Sequence, residues 1–226
     1  MIVFTGLYGS RSSKDSGMGA IIEVYDAAEL IARVCAALSD DRIDDAHAIL
    51  KEYRVEKWVR RSRTRTEKAA KAARDAEERS KTSDVRAFIR DGFLDRYTGK
   101  RLVFPGTLRL LSVRLGNAFP YHPNWKFGVG HHAYWELFPT IDHRRPRAHG
   151  GTNELDNLLT TSMLPNASKG DSLSGWEALQ IDAGWDGLMN WFLGQETPEE
   201  ATKAERAALR EWRKAAKDAL VAEVRT

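Results

Sequence analysis

Cysteine is nearly absent: Cys35 is the only one in 226 residues. A single thiol forms no internal disulfide and builds no cysteine-ligated zinc site, so packing and hydrogen bonds must hold the fold, and a reducing compartment is the expectation. Long apolar runs are missing as well. No stretch reaches the roughly 18 residues that a membrane-spanning helix requires. Residues 1–6 have neither the basic start nor the apolar run of a secretory signal, so the expectation is a cytoplasmic protein without a membrane partner. Strong charge of one sign is lacking too, since a formal net charge of +3 is too small by itself to diagnose a polyanion ligand. No internal repeat, helix-turn-helix or zinc finger is visible, so none of the common base-reading motifs is expected.

What is present is unevenly spread. Seven tryptophans and a 42% apolar share promise at least one packed core, in a chain long enough for one domain with appendages or two small ones. Between Lys51 and Arg90, fourteen lysines and arginines stand against seven acidic residues. Such clustering suits phosphate binding, because each neutralised phosphate releases counterions, although a solvated helix has the same pattern. Residues 60–82 carry alanine as their only apolar type, the mark of a spacer or of a helix lying on a charged partner.

The flanks are helical in pattern. Residues 1–81 are expected to form an N-terminal helical region ending in that basic connecting helix, after β-prone pieces in the first 25 residues. There Asp26 to Glu29 opens a helix with Leu30, Ile31, Val34 and Leu38 on one face. Ser39 to Asp41 breaks it, and a second helix turns Ile43, Ala46, Leu50 and Tyr53 inward. Residues 176–226 are expected to be a C-terminal helical segment packed on the middle of the chain, with Trp176, Leu179, Trp185, Leu188, Trp191 and Phe192 as core. Thr197-Pro198-Glu199-Glu200 then opens a last helix with a capping box, followed by a stripe of Leu209, Trp212, Ala216 and Leu220.

Chemistry concentrates in residues 82–175. Asp142-His143 is followed by Pro146, Gly150-Gly151, Asn157-Leu158, Asn166 and Lys169. Asn157 lies fourteen residues after His143, Asn166 nine further on, and Lys169 three beyond that. Residues 136–143 read as a strand, 157–161 as a second strand and 163–169 as the start of a helix, with the glycine pair suited to a tight reversal. Asp142 and Asn166 offer hard oxygen donors that suit Mg²⁺ or Mn²⁺ better than zinc. Neutral His143 can take a proton near pH 7. Arg144, Arg145, Arg147 and Lys169 are candidate phosphate contacts, and for the arginines plain loop charge is an equal reading; His149, beside the Gly-Gly turn, is a further candidate for which a core or surface histidine is the better reading. His122, His131 and His132 lack paired-ligand spacing, so core or surface histidines are the better reading of them than a second metal site.

This set resembles the motif of the HNH (ββα-metal) endonucleases, and the same two spacings occur in the HNH domain of RNA-guided nucleases. The resemblance covers residues 90–171, about a third of the chain. It implies an α+β, mostly helical fold: an HNH core with an insertion at 101–135, flanked by N-terminal and C-terminal helices. It also implies a Mg²⁺-dependent (or Mn²⁺-dependent) endonuclease acting on DNA in restriction, phage defence or a mobile element, with RNA compatible with the same chemistry. In that family His143 would activate water, Asp142 and Asn166 would hold the cation, and Asn157 would hold His143 in orientation. One site nicks; a double-strand cut needs a homodimer or two successive events. The alternative is an HNH fold without turnover that binds nucleic acid. Many members also carry two Cys-x-x-Cys pairs on a structural zinc. Here Asp95, Thr98, Ser162 and Pro165 stand at those places. No structural zinc is expected, and hydrogen bonds from Asp95 and Thr98 are expected to replace the cross-link.

Overall fold

The computed structural model describes residues 25–55, 79–124, 126, 128–180 and 184–224. The β-prone pieces expected before Tyr25 and most of the basic connecting helix lie outside these. The fold is α+β, mainly helical, with one two-stranded antiparallel sheet. In chain order the described helices are α1 (Ala27–Ser39), α2 (Ile43–Leu50), α3 (Lys81–Arg90), α4 (Pro105–Leu115) and α5 (Ala133–Glu136). Strand β1 (Pro139–His143) and strand β2 (Leu158–Ser162) follow, then α6 (Met163–Lys169), α7 (Met189–Gly194) and α8 (Lys203–Val224). Among the described residues, no helix is long and apolar enough to cross a membrane.

Local sequence explains most of these elements. Asp26 caps α1, its Oδ1 accepting from the amides of Ala28 at 2.8 Å and Glu29 at 3.2 Å. The expected apolar face of Leu30, Ile31, Val34 and Leu38 is buried, and α2 packs on it through Ala46 and Leu50. Ile43, expected inside, is 49% exposed because it sits in the first turn, beyond the reach of α1. The last helix starts later than its first capping signal predicts. Thr197 to Glu200 is passed over, and the box is made by Thr202 and Glu205: Glu205 donates its amide to Thr202 Oγ1 at 3.3 Å, and Thr202 its amide to Glu205 Oε2 at 2.8 Å. Two Thr-x-x-Glu spacings stand five residues apart, and local pattern alone does not rank them.

Helix α4, in the stretch expected to be an insertion, is buried nearly all round and joins the two halves of the core. Leu108, Leu111 and Leu115 pack with α1, α2 and Tyr134, whereas Leu110 and the preceding Phe104 pack with α3, α7 and α8. Its lack of a polar face follows from having helices on both sides. Strand β1 begins at Pro139, three residues later than the pattern suggests, because Ala133–Glu136 close a helical turn first.

The sheet register pairs Pro139 with Ser162 and His143 with Leu158. Two five-residue strands do not stand alone in water, and both outer edges are satisfied from outside. On the β2 edge, the amide of Thr160 donates to Asp91 Oδ2 at 2.8 Å and that of Ser162 to Asp95 Oδ2 at 2.7 Å, while Arg96 N donates to the Thr160 carbonyl at 2.9 Å. Both aspartates are buried. Burial raises the Asp91 carboxyl, but hydrogen bonds from Arg90, Thr160 N–H and Arg96 outweigh it and leave its pKa lowered. Asp95 also accepts from the amides of Tyr97 and Thr98 and from the hydroxyls of Thr161 and Ser162. The aspartate at one cysteine position thus reaches the serine at another, so hydrogen bonds tie together the two segments that a zinc ion would bridge. Thr98 does less than expected, its hydroxyl accepting only locally, from Lys100 N at 3.4 Å.

Two stability outcomes follow from this packing. Asp95→Ala leaves several buried donors unpaired, so chemical denaturation should show a loss of about 3–5 kcal/mol, and an unchanged midpoint would refute the role of Asp95. His131 is stacked on Phe119 with ring centroids 4.2 Å apart, and its Nδ1 accepts from the Ala133 amide. Burial, with the nearby charge of His132, lowers its pKa from 6.5 to about 4. The folded protein therefore keeps His131 neutral while the unfolded chain takes up a proton below pH 6.5. Stability is fully present above that value and falls by roughly 3 kcal/mol as the pH drops through about 4. His131→Asn, which keeps an acceptor for the amide, should flatten the pH 6.5-to-4 part of a melting profile.

Candidate active site

The β1–loop–β2–α6 segment gathers the residues singled out from the sequence. Its loop is closed by Asn157, whose Oδ1 accepts from the Arg145 amide at 2.8 Å while Nδ2 donates to the carbonyls of Arg145 at 3.1 Å and Thr152 at 2.8 Å. The two glycines allow this closure for different reasons. Gly150 has φ +81°, and a Cβ on Gly151 would lie 1.7 Å from the Arg145 carbonyl oxygen. Asn157 thus shapes the loop, and its side-chain hydrogen bonds go to Arg145 and Thr152.

Asn153 contacts His143. His143 Nε2 lies 2.9 Å from Asn153 Oδ1. An amide oxygen only accepts, so Nε2 carries a hydrogen, and in the neutral ring Nδ1 then holds the lone pair. A histidine held in this tautomer has one basic nitrogen available. Sequence reasoning missed Asn153, since an asparagine two residues past a Gly-Gly turn reads as ordinary loop.

Helix α6 covers the β1 edge. Asn166 Nδ2 donates to the Ile141 carbonyl at 3.1 Å and to Thr140 Oγ1 at 3.0 Å, and Lys169 Nζ donates to the His143 carbonyl at 3.0 Å. Residues three apart lie on one side of the helix, and Ile141 and His143, two apart, turn their carbonyls to the same strand edge. This accounts for the Asn-x-x-Lys spacing on structural grounds alone. It also commits the Asn166 amide nitrogen to the strand.

Asp142 is a buried member of the set. It is 7% exposed and Lys169 is 5% exposed. Its Oδ2 accepts from Lys169 Nζ at 2.9 Å and from the Tyr97 hydroxyl. Burial, followed by the hydrogen bond to Asp142, raises the Tyr97 pKa far above its usual value and keeps the phenol protonated. Lys169, expected on a phosphate, points inward as the counter-ion of Asp142. Arg144, Arg145 and His149 are exposed around the loop and Arg147 is half-buried. Arg145 is partly committed, its Nε donating to the His149 carbonyl at 2.6 Å. Burial raises the pKa of Asp84 on α3, against the lowering effects of the Arg79 charge and hydrogen bond and of nearby His143.

No family model, curated protein or solved structure matches this chain. The geometry therefore has to carry the functional reading. Among the described residues, no three His, Cys, Asp or Glu side chains converge as a metal cage. Mg²⁺ does not require one, since it keeps several waters and commonly takes only one or two carboxylates beside substrate phosphates. Asp142 and Asn166 each carry oxygen donors of the kind Mg²⁺ takes.

The Asp142–Lys169 pair has a measurable consequence. Lys169→Met strands a buried carboxylate, so stability at neutral pH should fall by about 3–5 kcal/mol. Adding Asp142→Asn to that variant should recover much of the loss in a double-mutant cycle. Simple additivity of the two substitutions would show that the pair is not coupled.

Proposed function

We propose that this chain is a divalent-metal-dependent endonuclease of the HNH type, hydrolysing phosphodiester bonds in DNA, with a ββα-metal core formed by β1, β2 and α6. The observation that carries the reading is His143: one strand position from a buried carboxylate, held by Asn153 through Nε2, with Nδ1 left basic. Phosphodiester hydrolysis needs a base for water, positive charge on the phosphate and stabilisation of the leaving oxygen. His143 Nδ1 takes the proton from water. Asp142 and Asn166 would hold Mg²⁺ or Mn²⁺, which would supply Lewis acidity at the phosphate. Asn157 keeps the loop closed so that His143 stays in register with them, and Arg144, Arg147 and His149 meet the backbone from the exposed loop.

A second reading, a nucleic-acid-binding module without turnover, draws on one observation. The Lys169 ammonium already neutralises Asp142, so the protein supplies its own cation where the enzyme reading places a metal.

Nicking of supercoiled plasmid separates the two. Cleavage that requires Mg²⁺ or Mn²⁺, stops in EDTA and falls by at least about 10²-fold in His143→Ala supports the enzyme. Asn153→Ala should lower the rate and alter its pH profile, because the imidazole is then free to take either tautomer. Retarded but uncut DNA in every metal would favour the binding module.

A further inference from the structure

Beside Asp142 lies a cavity of about 380 Å³ that the catalytic reading does not use. Its walls include Tyr97, Trp176, Arg144, Glu177 and Gln180. Tyr97 forms part of both sites: its ring lines the cavity while its hydroxyl donates to Asp142. Trp176 meets that ring edge-on, with centroids 5.3 Å apart and planes at 74°. The segment bearing Trp176 is fastened to the body of the protein. Leu179 N donates to the Arg96 carbonyl at 2.8 Å, Arg96 Nε donates back to the Leu179 carbonyl at 3.1 Å, and the Arg96 guanidinium is anchored on buried Asp91 at 2.7 Å. Trp176 is half-buried, so it is not the full core residue that its spacing suggests.

We infer that this cavity is a subsite for a single unpaired nucleobase next to the scissile phosphate, with Trp176 as its stacking wall. The inference rests on the nucleic-acid substrate proposed above. The lining favours a base over a second phosphate: a carboxylate, Glu177, stands in the wall and would repel a phosphate, yet it can accept from the exocyclic amine of a base. Gln180 offers both a donor and an acceptor to a base edge, and an aromatic face takes any base by stacking. Arg144 follows His143 in the chain and lines the cavity, so a nucleotide seated there can rest its backbone on the guanidinium between the two sites. The volume lies in the range of small-ligand pockets. A base can enter only where it is unpaired, which gives the enzyme a preference for single-stranded, mismatched or extruded nucleotides.

The test compares two labelled strands of equal length and charge, an oligothymidylate and its fully abasic counterpart, by fluorescence anisotropy. EDTA is present and the protein carries His143→Ala so that nothing is cut. Stacking of one base predicts about tenfold or more tighter binding of the oligothymidylate. Trp176→Ala should abolish that preference without changing affinity for the abasic strand, and Trp176→Phe should restore most of it. Melting curves confirm that each variant is folded. Equal affinity for the two strands, no binding to either, or a preference that survives Trp176→Ala would overturn the inference. A Trp176-dependent preference in a chain that nicks no plasmid leaves the subsite standing and removes the nuclease. Nicking without any Trp176 dependence removes the subsite alone.

Discussion

Two buried carboxylates on the outer edge of β2 hold the site in place. A pair of five-residue strands has too little surface to persist by itself. Its unpaired amides would be costly if enclosed without acceptors. Asp91 and Asp95 provide those acceptors from the turn after α3, and each is enclosed in turn by arginines, amides or hydroxyls that share the negative charge. The sheet is thereby fixed to α3, and α3 to the long α8 packed along it. Loss of either carboxylate would free β2, the strand paired with the one that carries Asp142 and His143.

The opposite edge is where structure and chemistry share the same atoms. Asn166 and Lys169 satisfy the carbonyls of β1, and Lys169 at the same time pairs with Asp142. A buried ion pair adds little net stability, because desolvation of both partners offsets most of the attraction. Its stronger effect is on what happens when one partner changes. Removing the Lys169 ammonium would leave a buried carboxylate without its counter-ion.

His143 shows how little the surrounding structure needs to supply. One amide oxygen selects its tautomer, and one loop, closed by Asn157 across two glycines, sets where the ring lies. The neighbouring cavity depends on Tyr97, whose phenol stays protonated because its partner is an anion in a partly desolvated place. The candidate catalytic and base-binding regions thus meet at a single aromatic side chain.

The sequence by itself determined the order of the elements around the site. The fit of the spacing to a ββα arrangement, with a glycine pair suited to a turn, placed β1, β2 and α6 to within a few residues, and the Asp26 cap and the face of α1 follow from local rules that tertiary contacts only reinforce. Asp142, His143, Asn157 and Asn166 stood out through the resemblance of their spacing to the HNH motif. Only the tertiary structure decided what those residues touch. Asn153 took the contact with His143, Lys169 turned inward to Asp142, and Trp176 left the core to line a cavity, each through a neighbour distant in the chain or around a loop. The stretch read as an insertion became the shared centre of the core for the same reason. Periodicity reports that α4 is apolar, whereas which helices lie on its two sides is fixed by how the whole chain closes.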